Sequence, residues 1–121
     1  MSHKILVVDD EADIRAFLKA VLERRGWDVV TAEDGLQAYD IATEERPEVI
    51  ILDLQMPNKT GTDFYRRLTR HHELSEVPVI IVSGLAGRHL AVSNPFAVFD
   101  KPIDPDEFTA TVERALGEND G

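Results

Sequence analysis

Polar residues able to do chemistry stand directly after short apolar runs. Asp9 and Asp10 follow Ile5–Val8, Asp53 follows Val49–Leu52, Ser83 follows Val79–Val82, and Asp100 and Lys101 follow Val98-Phe99. If these positions share one crevice, three carboxylates repel one another and at least one has its pKa raised. A hard divalent cation removes the conflict. Mg²⁺ takes oxygen ligands, keeps several waters and uses one or two carboxylates together with phosphate oxygens. Lys101 adds a point positive charge suited to a phosphoryl oxygen, and Ser83 adds a small hydroxyl with room left by Gly84. Asp53 can act as a nucleophile, because a carboxylate can form an acyl phosphate. An in-line nucleophile with positive charge on the equatorial oxygens is what phosphoryl transfer requires.

The elements that must position these groups are legible as alternating patterns. Ile5–Val8, Val29-Val30, Val49–Leu52, Val79–Val82 and Phe96–Phe99 are short, β-branched and not polar-alternating, as strands buried on both faces are. Ile14, Phe17, Leu18, Val21 and Leu22 form one helical stripe that Gly26 ends. Further helices are predicted from about Leu36 to Glu45, about Thr62 to His72 and about Leu85 to Val92. A last helix has Asp104 as cap, Pro105 at its first position, Glu107 completing a capping box, and Phe108, Val112, Ala115 and Leu116 on its buried face. Trp27 is expected at the corner between the first helix and second strand, and Tyr39 at the edge of the core. Strand–helix alternation predicts an α/β fold: a doubly wound five-stranded parallel sheet, flavodoxin-like order 2-1-3-4-5, with helices on both faces. The polar residues then fall at C-terminal strand ends, where open α/β sheets bind ligands.

Composition narrows the function further. The 121 residues suit one domain, and the whole span 1–121 is expected to be that domain with no output domain attached. There is no cysteine, which excludes disulfides, thiolate zinc sites and cysteine nucleophiles. The net charge of −10 argues against a nucleic-acid surface. No apolar run approaches the ~20 residues that span a bilayer, so no membrane partner and a cytoplasmic location are expected.

The segments Val7-Val8-Asp9-Asp10-Glu11, Asp53-Leu54-Gln55-Met56-Pro57 with Gly61, Ser83-Gly84 and Lys101-Pro102-Ile103 resemble the receiver domain of bacterial response regulators, across essentially the whole chain. Asp34-Gly35 with Ala38 is similar to the start of the family's second helix. The resemblance implies Asp53 as phosphoacceptor, Asp10 as direct Mg²⁺ ligand, Asp9 as a ligand through water, and the backbone carbonyl of Gln55 as a further ligand. It also implies that Ser83 turns toward the phosphoryl group, that Lys101 pairs with it, and that the Lys101–Pro102 bond is cis. The implied partners are a sensor histidine kinase or histidine phosphotransfer protein as donor, and a downstream protein target. Its self-phosphorylation and self-dephosphorylation are not turnover of an outside substrate.

Two features depart from the family pattern. The position three residues before the lysine, usually Tyr or Phe, is Val98, and the nearby aromatics are Phe96 and Phe99. Strand alternation points Phe99 to the face opposite Val98. The stretch from Ser83 to Lys101 is shorter than usual by roughly one helical turn, which predicts a short or irregular helix there and an altered output face. These departures keep a second function open, a pseudo-receiver acting as a constitutive protein-interaction module. An aspartyl phosphatase is disfavoured because Gln55 stands where a second acid is expected. A flavin protein is disfavoured because no Gly- or Ser/Thr-rich phosphate loop follows the first strand.

Overall fold

A computed structural model describes residues 3–56, 60–83 and 95–117. The strands are β1 (Lys4–Val8), β2 (Asp28–Ala32), β3 (Val49–Asp53), β4 (Val79–Ser83) and β5 (Ala97–Asp100). The helices of the described residues are α1 (Ala12–Glu23), α2 (Gly35–Glu45), α3 (Thr60–Arg70) and α4 (Pro105–Leu116). The strands form one parallel sheet in the order β2-β1-β3-β4-β5. This is the expected doubly wound α/β topology. The segment predicted as a helix over about Leu85 to Val92, with Gly84 before it, lies outside the described residues.

Alternation along each central strand divides the core into two layers. Ile5, Val7, Ile51, Ile80 and Val82 face Leu18 and Leu22 of α1 and Phe108 and Val112 of α4. Leu6, Val8, Ile50, Leu52 and Ile81 face Ala38 and Ala42 of α2 and Phe64 and Leu68 of α3. All five residues of β3 and of β4 are buried, which explains their unbroken apolar sequence. β2, at the sheet edge, is half-exposed over Val29, Val30 and Thr31, and its apolar signal is correspondingly weak. Trp27 is buried in the layer of α1 and α4, with the Arg25 guanidinium 5.2 Å from its ring.

The helix ends follow from local chemistry. Gly26 has φ +85°, a left-handed conformation that glycine adopts without strain, and it turns the chain from α1 into β2. Asp34 caps α2 by accepting the backbone N–H of Gln37, whose side-chain oxygen accepts the N–H of Glu33. Asp104 caps α4 as expected, but it accepts the N–H of Asp106. A capping box needs the bond one residue later, so the expected role of Glu107 is corrected to an acidic residue in the first turn. α3 starts and ends two residues earlier than its sequence pattern indicated, because Gly61 is taken into the helix.

Candidate functional site

β1, β3 and β4 end at one edge of the sheet, and their last residues deliver the site. Asp9 follows Val8 and is 1% exposed; its N–H donates to the Ala32 carbonyl of β2. Its Oδ1 accepts the N–H of Glu11, which ties the carboxylate to the turn entering α1. Arg15 of α1 donates from Nη1 to the Asp9 carbonyl at 2.7 Å and places Nη2 3.5 Å from Glu33. The guanidinium thereby anchors the β1–α1 turn to the β2–α2 turn. Asp53 closes β3, is also 1% exposed, and accepts the N–H of Gln55 on Oδ1 at 2.9 Å. Ser83 closes β4 and is fully buried.

Carboxylate oxygens of Asp9, Asp10, Glu11 and Asp53 lie within 4.8 Å of one another. Lys101, which follows β5, reaches into this group. Its Nζ is 3.4 Å from Asp9 Oδ2, 3.3 Å from Glu11 Oε1 and 3.6 Å from Asp53 Oδ2. Its own N–H donates to the Ser83 carbonyl, and its bond to Pro102 is cis, as the resemblance implies. Ser83 Oγ donates to the side-chain oxygen of Gln55 at 3.3 Å.

The electrostatics follow from this crowding. Burial pushes the Asp53 carboxyl up to about 6; the Gln55 N–H and Lys101 oppose the rise, and Asp9 and Asp10 add to it. Burial also raises Asp9, against the Glu11 N–H and Lys101. Burial works to lower Lys101, but Asp53, Asp9 and Glu11 together raise it, so it is held as an ammonium. Asp53 Oδ2 is buried and accepts no hydrogen bond. A buried carboxylate oxygen of this kind carries an uncompensated desolvation cost. With the neighbouring acids it forms an all-oxygen donor set suited to a hard cation, so the residues present fit Mg²⁺.

The structure thus brings together Asp9, Asp10, Asp53, Ser83 and Lys101. Sequence reasoning missed three neighbours. Glu11 is a third carboxylate on Lys101, adjacent in sequence to Asp9-Asp10. Arg15 braces the turn from within α1, and the Gln55 side chain holds the Ser83 hydroxyl. For the first, the signal was the unbroken acidic run; for the other two the contact is visible only in three dimensions.

The two aromatics near Val98 resolve clearly. Val98 is half-buried in the layer of α2 and α3. Phe99 lies in the opposite layer, with its ring edge-on to Phe108 at 5.6 Å. Phe96 precedes β5 and is 45% exposed, at the other end of the strand from Lys101. Phe99 is thus on the face opposite Val98, and Phe96 is away from the site.

Comparisons with known proteins agree with the fold. The family model of the response regulator receiver domain matches residues 5–113. Protein Rrf1 of Nitratidesulfovibrio vulgaris (strain Hildenborough) is 36% identical, over 96% of this chain and 84% of its own length. Sporulation initiation phosphotransferase F of Bacillus subtilis is 34% identical, over 96% of this chain and 95% of its own. The crystal structure of the Vibrio cholerae chemotaxis protein CheY4 superposes with a TM-score of 0.86 at 29% identity, over 96% of this chain and all of that one.

Proposed function

Because the chain belongs to the response regulator receiver domain family of two-component signalling, we propose that it is a phosphoacceptor whose modification at Asp53 switches binding to a partner protein or passes the phosphoryl group along a relay. The observation that carries this reading is Asp53 Oδ2: buried, without a hydrogen bond, and 3.6 Å from the Lys101 ammonium. That oxygen attacks the phosphorus of a phosphohistidine on a sensor histidine kinase or histidine phosphotransfer protein. The P–N bond breaks as the P–O bond forms, and the imidazole leaves with the electron pair and picks up a proton. Lys101 pairs with a phosphoryl oxygen and offsets the added charge. Ser83 leaves Gln55 and donates its hydroxyl to another phosphoryl oxygen.

Mg²⁺ supplies positive charge to the acids and to the transferring group. It would be held by Asp10, Asp53 and the backbone carbonyl of Gln55, with Asp9 acting through water. The domain modifies itself and turns over no outside substrate. Its setting is the cytoplasm, where kinase and target are other proteins; no described helix is long and apolar enough to cross a membrane.

Acetyl phosphate with Mg²⁺ tests the reading. The intact protein should gain the mass of one phosphoryl group, and Asp53→Asn should gain none. Equal gain in both would sink the assignment.

One observation favours a second reading, a constitutive interaction module. No aromatic of β5 lies on the Val98 face, where the family usually carries Tyr or Phe. Partner binding that is indifferent to beryllofluoride, in a protein that still takes up phosphate, would select that reading.

A further inference from the structure

The chain carries ten more formal negative charges than positive ones, yet the C-terminal end of α3 gathers cations. α3 begins just beyond the Asp53 edge of the sheet and runs back, antiparallel to the strands, so Arg70 lies at the opposite edge. Tyr39, Arg67, Arg70, His71 and His72 line a shallow cleft of about 340 Å³ there. Of the neighbouring charges, Arg46 pairs with Glu73, which also stands 4.0 Å from His72 Nε2, and Arg66 pairs with Asp63. Arg67 and Arg70 have no carboxylate partner among the described residues.

Arg67 is ordered nonetheless. Its guanidinium lies 3.6 Å from the centroid of the Tyr39 ring. A guanidinium held against a ring face keeps N–H groups available at its edge, and such a group can take a carboxylate bidentately. His71 Nδ1 accepts the backbone N–H groups of Glu73 and Leu74, which assigns its proton to Nε2 and makes that edge a donor. The His71 ring meets Tyr39 edge-on at 6.2 Å and stacks on His72 at 5.3 Å. The result is a row of donors on an aromatic floor, with little rotamer freedom left to lose on binding at Arg67.

We propose that this cleft docks an acidic peptide segment of a partner protein, on a face separate from the phosphoacceptor edge and independent of its chemistry. A carboxylate side chain fits better than a compact dianion. The cleft is open, and the carbonyl end of α3 opposes concentrated negative charge, whereas dispersed carboxylates on apolar stems can meet Arg67 and Arg70 singly while their stems lie on Tyr39 and His72. A long polyanion or an anionic bilayer would meet the repulsion of the rest of the chain.

The test is a titration of the ¹⁵N-labelled full chain with an acetylated, amidated hexaglutamate at about 20 mM NaCl, followed through arginine side-chain, histidine-ring and backbone resonances. Saturable shifts confined to the Tyr39, Arg67, Arg70, His71 and His72 neighbourhood are expected, fading at about 300 mM NaCl. Arg67→Ala combined with Arg70→Ala should weaken binding at least about tenfold while the remaining amide spectrum stays intact. Tyr39→Leu should weaken it several-fold by freeing Arg67. Shifts that do not saturate, or that survive the double substitution, would overturn the proposal. So would equal shifts from inorganic phosphate, which would mark a small-anion site, or capture by phosphatidylcholine–phosphatidylserine vesicles, which would mark a membrane face.

Discussion

Lys101 Nζ stands 3.6 Å from Asp53 Oδ2, close enough to attract the carboxylate and too far to donate a hydrogen bond to it. The same ammonium lies 3.4 Å from Asp9 and 3.3 Å from Glu11. One positive charge is therefore divided among three acids, two of them buried. Burial raises the Asp53 carboxyl to about 6, and the shared ammonium opposes that rise only in part. The acids of this site outnumber its ammonium, so added positive charge relieves them.

This arrangement predicts an unusual pH dependence for the metal-free protein. A carboxyl raised from 3.8 to about 6 binds its proton more tightly in the folded state than in the unfolded one. Its contribution is fully present below about pH 4 and is lost as pH rises to about 6. For Asp53 the loss is on the order of 3 kcal/mol by linkage, and Asp9 adds in the same direction. Urea unfolding in EDTA should show stability falling across this window. Asp53→Asn should flatten the fall and be the more stable protein at pH 7. Mg²⁺ at about a hundred times its Kd should restore about 2.7 kcal/mol to the unsubstituted protein. Stability that rises through the window in the unsubstituted protein and Asp53→Asn alike would contradict the electrostatic picture.

Lys101→Ala should separate metal binding from switching. The lysine competes with a cation for Asp9 and Asp53, so its removal should leave Mg²⁺ affinity unchanged or raise it a few-fold, as read by calorimetry. The response to beryllofluoride should nevertheless shrink, because no ammonium remains to pair with the phosphoryl-like group. Amide shifts at Ser83 and along β5 report that response. A Mg²⁺ affinity lowered more than about tenfold, or unsubstituted-size shifts, would remove the role given to Lys101.

Much of this site was legible because strand ends carry both signals at once. Val49–Leu52 marks a doubly buried strand, and the next residue must leave the core; an Asp there is costly unless it is used. The order of the sheet then brings Asp9, Asp10 and Asp53 together without further information. Less legible was whatever depends on half-buried or side-chain geometry. β2 is half-exposed and showed only Val29-Val30 of its length. The bond between Ser83 and Gln55 spans two strand ends and leaves no local pattern. The Asp104 cap was readable from its Pro105 neighbour, but which amide it takes depends on the turn, and it takes that of Asp106.

Phe99→Ala should behave as a core substitution. The ring packs on Phe108 in the layer of α1 and α4, away from the face of Val98. Its loss should cost about 2–4 kcal/mol in denaturant unfolding, somewhat less than for a fully buried ring. Phosphate uptake from acetyl phosphate should stay within about twofold at a temperature where the variant is folded, since the Phe99 ring packs in the layer of α1 and α4. A small stability change with a large loss of phosphorylation response would instead make Phe99 part of the switch.

Gly61→Ala should damage the site from behind. Gly61 lies in the first turn of α3 with its backbone against the end of β3, where an added Cβ would stand 2.8 Å from the Asp53 carbonyl oxygen. Backbone cannot yield as a flexible side chain does, so either α3 retreats or the β3 end moves. The first outcome loosens Phe64 and Leu68 from their layer; the second displaces the Asp53 carboxylate relative to Lys101 and Asp9. Positioning errors of about 1 Å at a reacting centre cost about a hundredfold in rate. Gly61→Ala is therefore expected to lower the phosphorylation rate with acetyl phosphate by at least about tenfold, with a stability loss of about 1–3 kcal/mol. Gly117→Ala serves as the control. It has positive φ and nothing within 4 Å of an added Cβ, so it should lose stability through strain alone and keep its rate. If the two variants lost stability alike and both kept their rates, the close approach of α3 to Asp53 would have no part in holding its carboxylate.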